Sequence, residues 1–334
     1  MNVAFLGYGS IAHSHARAIT ALQGTAAGRD LRLYGVMGRL EESTRDFARE
    51  YGMALATTDL DALLADGAID AVLVCSPTDL HAAQTERALR AGKHVLCEIP
   101  LATSLADADR LIRLADEADR RLMVCHTQRY NAPLIEARRM IAAGELHPHA
   151  IISRYFFHRR ANINWMGRHR SWTDNLLWHH GCHAVDAALW LLGAESVEVV
   201  AQVALPGGDL AIPMDLTVAM RTPRDQLATV AMSYNTHIDV HDYLIIGEET
   251  TVLYADNQLR DKDRVLVPAT ERSGPDDPIA RQDAEFFAAV REGREPAVSG
   301  RAVRPAMAAL QAAQDTLDAR LRALGPDARH PRLP

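Results

Sequence analysis

Asn2-Val3-Ala4-Phe5-Leu6-Gly7-Tyr8-Gly9-Ser10-Ile11-Ala12 opens the chain, and its reading decides the fold. A short apolar run makes a strand, and a helix through His15 to Ile19 begins where the glycines end. The pattern G-x-G-x-x-A is therefore held between strand and helix, where the glycines have a mechanical purpose. Gly7 permits the tight turn, Gly9 lets a pyrophosphate approach the backbone, and Ala12 keeps helix and strand close. The free N–H groups of the first helical turn, at Ser10 and Ile11, then face the phosphates of a dinucleotide.

Strands and helices continue to alternate beyond this turn. Leu31 to Met37 reads as the second strand, 42–51 and 59–65 as helices, and Ala71 to Cys75 as a buried strand closed by Ser76-Pro77-Thr78. Helix 80–91 stops at Gly92, His94 to Cys97 is the next strand, helix 104–118 is capped by Ser104, and Leu122 to Cys125 is a further strand. Regular alternation with apolar strands predicts an α/β fold with a parallel, doubly wound sheet over 1–126. The loops after its strands are expected to build the cofactor site: Gly7 to Ala12, Arg39, Ser76 to Thr78 with His81, and Glu98-Ile99-Pro100. A site for NAD usually places Asp or Glu at the end of the second strand. Here stands Gly38-Arg39-Leu40, and a guanidinium suits a 2′-phosphate, so NADP is favoured with NAD as the alternative. In that alternative Arg39 is merely solvated and Glu41 or Glu42 reaches the ribose.

The composition is that of a water-soluble globular chain. Of 334 residues, 48% are hydrophobic and 24% charged, enough for two cores. A net charge of −7 gives no electrostatic reason to expect nucleic acid or an anionic membrane as partner. No apolar run reaches about eighteen residues and no leader pattern precedes the first strand, so a cytoplasmic protein is expected. Cys75, Cys97, Cys125 and Cys182 are far apart and lack C-x-x-C spacing, so buried thiols are expected and not a disulfide framework.

After Asn131 the grammar changes. Helix 133–143 leads to an alternating, aromatic strand over 150–157, and strand-like runs follow at 197–203, 216–220, 227–234, 243–246 and 251–254. Strands in succession with few helices between them predict an α+β second domain over 127–324 with an open, mostly antiparallel sheet. Helices 279–292 and 302–324 are expected to pack back on the first domain, and 325–334, with three prolines, reads as a flexible tail. An exposed face of the open sheet suits a homodimer or homotetramer.

Within this second domain stands Leu176-Leu177-Trp178-His179-His180-Gly181-Cys182-His183-Ala184-Val185-Asp186. On a helix, His179 and His183 share one face and Asp186 lies three residues further along it. Imidazole suits proton transfer near neutrality, and a carboxylate can hold its tautomer, so His179 or His183 is read as the base, with His179 favoured and His183 as its partner, and Asp186 as the orienting group. The i, i+4 histidines with Asp186 can equally be read as metal ligands of a hydrolase or lyase, although the N-terminal glycine motif has no purpose in that reading.

These motifs identify a resemblance. The glycine motif, Glu98-x-Pro100 and Gly181-x-His183-x-x-Asp186 resemble the glucose-fructose oxidoreductase and inositol dehydrogenase (Gfo/Idh/MocA) superfamily over about residues 1–320. That resemblance implies a dinucleotide-binding domain followed by an open sheet, with a lysine between Glu and Pro. This chain has Ile99 there, which cannot exchange a proton, and His179 where the superfamily tends to place aspartate. A narrower set of strings is similar to the 4-carboxy-2-hydroxymuconate-6-semialdehyde dehydrogenases: Glu98 to Ala102, His126 to Asn131, Tyr155 to Phe157, Arg170 to Asp174, Leu176 to His180, Met214-Asp215 and Phe287 to Pro296. Gln128, His158, Arg168-His169 and the histidine-rich run 236–242 depart from that pattern.

The resemblance implies oxidation of a cyclic hemiacetal to a pyrone dicarboxylate in aromatic-acid catabolism. Carboxylates call for cationic partners, and Arg129, Arg159, Arg160 and Arg170 are the candidates. Trp172 and Trp178, with Trp165, are read as walls of a ring pocket, or else as core; Asn131 and Tyr155 are further candidates. A dihydrodiol or sugar dehydrogenase on the same scaffold, and a sensor that binds NADP without turnover, are the competing readings.

Overall fold

A computed structural model describes residues 1–163, 167, 175–207, 209–269, 274–325 and 328–329. The chain forms two compact units, residues 1–127 with 271–304 and residues 128–270 with 305–334. The sequence reading drew one boundary near 126; the chain in fact returns to the first unit after the second sheet.

The first unit begins β1 (Asn2–Leu6), α1 (Ser10–Gln23), β2 (Arg32–Met37), α2 (Glu41–Glu50), β3 (Leu55–Thr57), α3 (Leu60–Ala65), β4 (Ala71–Val74), α4 (His81–Arg90), β5 (His94–Cys97), α5 (Leu105–Glu117) and β6 (Leu122–Val124). The strands pair in the order β3-β2-β1-β4-β5-β6, every pair parallel. Val3 to Leu6 and Ala71 to Val74 are wholly buried, which is why these strands read as continuous apolar runs without alternation. Helix α1 turns Ala12, Ala16 and Ile19 inward at helical spacing. The edge strand β3 has three half-buried residues and carries almost no period in the sequence.

The second unit contributes α6 (Ala132–Ala142), β7 (Pro148–Phe156), α7 (Leu176–Leu192), β8 (Glu198–Val203), the two-residue strands β9 (Pro206–Gly207) and β10 (Ile212–Pro213), and then β11 (Asp215–Arg221), β12 (Leu227–Ser233), β13 (Val240–Gly247), β14 (Thr251–Ala255), β15 (Gln258–Arg260) and β16 (Val265–Val267). Among the described residues eight strands form one sheet, β16-β15-β14-β13-β7-β12-β11-β8. Only the β7–β12 pair is parallel and the rest are antiparallel, so the predicted mostly antiparallel sheet is present. Helix α7 packs on β7 and β12 and covers one face. On the other face a row runs across the register from Val200 through Ala219, Thr229, Ile152 and Leu244 to Leu253. Val200 is 69% and Ile152 41% exposed, so apolar surface is left open there.

Two helices complete the chain. Helix α8 (Pro278–Glu292) packs against α1, as the sequence implied. Helix α9 (Gly300–Leu324) departs from that expectation, because from Pro305 onward its residues belong to the second unit. Most of the expected tail lies outside the described residues. No helix among the described residues is long and apolar enough to cross a membrane.

Candidate active site

In the first unit the strand order reverses between β1 and β4, and the loops leaving those strands lie side by side. Gly7, with φ +107°, donates its N–H to the Met37 carbonyl at 2.8 Å; a Cβ there would stand 2.7 Å from the Cys75 carbonyl oxygen. Glycine is required by conformation and by space alike. Gly9 caps α1 without a side-chain hydrogen bond, and no atom lies within 4 Å of where its Cβ would be. Open ground thus lies before the helix N-terminus, which fits a pyrophosphate. Ser10 and Ile11 are half-buried in the first turn, and Ala12 is fully buried against the sheet. Arg39, two residues beyond β2, is exposed, and its side chain makes no hydrogen bond or ion pair among the described residues. Glu41 pairs with Arg45 one turn along α2 at 2.5 Å, with both side chains exposed.

The remaining predicted loops are joined by His81. Its Nε2 donates to the Ser76 carbonyl at 2.9 Å and its Nδ1 to the Pro100 carbonyl at 2.8 Å, bridging the turns after β4 and β5. With two carbonyl partners both ring nitrogens must carry hydrogen. Burial opposes the cation, but Cys97 and the two carbonyls outweigh it and raise the pKa to about 9. Ser76 donates to Gln84 at 2.6 Å; Pro77 introduces a short helical turn at Thr78, and the Ile99–Pro100 peptide is cis. Glu98 accepts from the Ile99 N–H at 3.1 Å and from His15 Nε2 at 2.9 Å.

Two residues here escaped the sequence reading. His15 is fully buried, and its Nδ1 faces both oxygens of the buried Asp283 carboxylate at 2.9 and 2.8 Å. Burial alone would strip the imidazole of its proton; Asp283 and Glu98 reverse this and raise the pKa to about 10. The stabilisation this contributes is complete below pH 6.5 and is lost as pH climbs toward 10. A signal existed, because His15 interrupts the apolar stripe of α1 and a buried polar group needs partners. The partner on α8, 268 residues away, left no local trace. Among the described residues His15, Glu98 and Cys125 are the one group whose ligand atoms, within 4.8 Å of one another, could share a metal. His179, His183 and Asp186 form no such group.

In the second unit α7 is buried almost all round. His179, His180, His183 and Trp190 are its half-buried positions after the cap residue Asn175. His179 and His183 do share one helix face, and Asp186 follows on the same helix. Asp186, expected to orient the histidines, accepts at both its oxygens from Arg129, at 2.8 and 2.6 Å, in a buried two-pronged ion pair. The Arg129 charge, proposed from the sequence for a substrate carboxylate, is matched inside the protein by this pair. Trp178 is 4% exposed and donates to Gln314 at 3.0 Å, a core position and not a pocket wall. Asn131 is also buried and donates to Tyr254 at 2.9 Å.

His180, which the reading passed over, joins an aromatic group around the two predicted histidines. Its Nδ1 lies 2.6 Å from the Tyr234 hydroxyl, its ring stacks on Tyr155 at 4.8 Å, and it meets His179 edge-on at 4.4 Å. Tyr155 also touches His241 at 4.5 Å. Arg159 donates to Tyr234 at 3.2 Å and to Asn162 at 2.8 Å, with its guanidinium 5.2 Å from the Tyr234 ring centre. Exposed Arg160 donates to the carbonyls of Arg159 and Tyr234 and has no acidic partner among the described residues. Arg170, Trp172, Trp165 and Arg168-His169 lie outside the described residues.

Comparison with known proteins gives concordant results. Residues 1–126 match the family described as "Oxidoreductase family, NAD-binding Rossmann fold", and residues 135–267 match "Bacterial oxidoreductases, C-terminal". A 4-carboxy-2-hydroxymuconate-6-semialdehyde dehydrogenase of Sphingobium sp. strain SYK-6 is 33% identical over 89% of this chain and 92% of its own. The myo-inositol 2-dehydrogenase of Thermotoga maritima is 25% identical over 95% and 96%. Among solved structures, a UDP-N-acetylglucosamine 3-dehydrogenase from Acidithiobacillus ferrooxidans superposes with TM-score 0.79 at 26% identity, covering 96% of this chain and 99% of that one. A levoglucosan dehydrogenase in complex with NADH shares the fold at TM-score 0.82 and 18% identity, covering 96% and 97%.

The Arg129–Asp186 pair has a measurable consequence. Asp186→Ala leaves the Arg129 guanidinium buried without its counter-charge and is expected to cost about 3–5 kcal/mol of stability; replacing both residues by apolar ones of similar volume costs much less. Urea unfolding of the two variants checks this, and equal losses would contradict it.

Proposed function

This chain belongs to the Gfo/Idh/MocA oxidoreductase family and is a nicotinamide-dependent oxidoreductase, and on that premise we propose that it oxidises the cyclic hemiacetal of a carboxylated muconate semialdehyde to a pyrone dicarboxylate with NADP. The observation that carries the substrate class is the near end-to-end likeness to the Sphingobium dehydrogenase. Ile99 supports it from a second side, because a proton-exchanging group is missing where the resemblance to sugar-oxidising relatives implies a lysine. The runner-up is an inositol or sugar dehydrogenase, supported by the full-length likeness to the Thermotoga enzyme.

Hemiacetal oxidation breaks one C–H and one O–H bond and makes a lactone C=O. When bound along the glycine turn, the nicotinamide supplies the hydride acceptor. The residues of this chain must hold the dinucleotide, orient the substrate and take the hydroxyl proton. Gly7, Gly9 and the first turn of α1 hold the pyrophosphate, with the Ser76 to Thr78 and Glu98 to Pro100 turns, fixed by His81, completing the site. Arg39, exposed and without an internal acid, receives the 2′-phosphate. In this proposal His179 takes the proton and His183 is its partner, both at the half-open side of an otherwise packed helix. Arg159 and Arg160 bind the substrate carboxylates, together with Arg170 and the ring wall of Trp172.

A second copy of the chain is proposed on the open sheet face, where the row from Val200 to Leu253 offers apolar side chains to a symmetric partner.

NADP reduction followed at 340 nm, with the carboxylated hemiacetal and myo-inositol as rival substrates, tests the reading; turnover of inositol alone would replace it with the runner-up. His179→Ala and His183→Ala are expected to lower kcat by about 10²–10⁴-fold and 10-fold or more respectively, with NADP affinity nearly intact. Unchanged turnover in both removes them from the chemistry. Arg39→Asp should shift the NADP-to-NAD ratio of kcat/KM by about 10–100-fold toward NAD, the worth of one charge-assisted phosphate contact. Ile152→Glu should lower the sedimentation mass of the native protein, and a native monomer would dismiss the sheet-face partner.

A further inference from the structure

The proposed chemistry has no use for His15, yet His15 is a fully buried titratable group beside the cofactor turns. It projects from α1, the helix whose N-terminus the glycine motif forms, and it is fully buried. Two carboxylates face it from opposite sides: Glu98, in the turn after β5, at 2.9 Å from Nε2, and Asp283, on α8, at 2.8 Å from Nδ1. Cys125, just beyond β6, places its sulfur 4.0 Å from Nε2, and burial pushes its thiol pKa and that of Cys75 well up. A neutral imidazole has one N–H and would turn a lone pair toward one of the two acids, an arrangement a dry interior does not tolerate. A doubly protonated ring satisfies both.

The two carboxylates are not equivalent. Asp283 is wholly enclosed, whereas the Glu98 side chain is 14% exposed, so one end of the triad is sealed and the other opens at the cofactor turn. The second Glu98 oxygen accepts from the Ile99 N–H, so the carboxylate clamps the backbone of the turn in which it stands. We infer that His15 is a positioning residue for the nicotinamide cofactor: an imidazolium anchored by Asp283 that fixes the Glu98 carboxylate and, through it, the Glu98-Ile99-Pro100 turn. This also gives α8 a purpose, since its return to the first unit delivers the buried acid that anchors the cation. The inference rests on the reading of the Glu98 to Pro100 turn as part of the cofactor site.

The experiment is a double-mutant cycle on the full-length protein, read as the Kd for NADPH and NADH in parallel by cofactor fluorescence without substrate. Glu98→Gln and His15→Gln should each weaken binding by about tenfold, the worth of one hydrogen bond to a charged group. The double variant should be no weaker than Glu98→Gln alone, because His15 acts through Glu98. If Glu98→Gln leaves both Kd values unchanged, the turn is not part of the cofactor site and the underlying reading fails with the inference. If Glu98→Gln weakens binding but His15→Gln does not, or the two losses multiply, the positioning role is overturned while the cofactor site stands. Asp283→Asn serves where His15→Gln does not fold: it keeps the ring and removes the anchoring charge. Its Kd for both cofactors should rise by about threefold, and unchanged values overturn the inference.

Discussion

A methyl group would not fit at Gly7. The backbone of the first turn lies against the Cys75 carbonyl, and this contact sets how closely β1 and β4 leave the sheet together. Helix α1 starts three residues later, so its direction follows from that approach, as does the open ground in front of Gly9. With α1 fixed, His15 is delivered to Glu98 and to Asp283. The cofactor half of the molecule is therefore a sequence of consequences from one close backbone approach.

Each unit holds a buried ionic cluster whose members share hydrogen bonds. In the first, one imidazolium serves two carboxylates; in the second, one guanidinium meets one carboxylate through two parallel bonds. Such pairs contribute little net stability compared with apolar packing, but an unmatched member is costly, so they penalise alternative arrangements strongly. Arg129 and Asp186 thereby fix the start of the second unit to the histidine helix.

The first unit was legible because its signals are local. Buried parallel strands are apolar runs, helices have stripes, and the glycine motif announces its own turn; only the three-residue β3 was too short to show a period. The eight-stranded sheet was legible in kind but not in extent, since β15 and β16 are three residues each. At the candidate site the sequence placed His179 and His183 on one helix face, as they are. It failed wherever a partner lies far along the chain: Asp186 with Arg129, Trp178 with Gln314, His180 with Tyr234, His15 with Asp283. Spacing along a helix says which side chains share a face and nothing about what stands opposite.

The packing of α7 divides its residues into two classes with different freedom. Leu176, Leu177, Ala184, Val185, Ala187, Ala188, Leu191 and Leu192 are buried, whereas His179, His180, His183 and Trp190 are half-buried. Changes at the buried positions disturb the core more than changes at the half-buried ones. Substitution at the half-buried positions therefore alters the chemistry this helix presents while leaving its buried faces as they are.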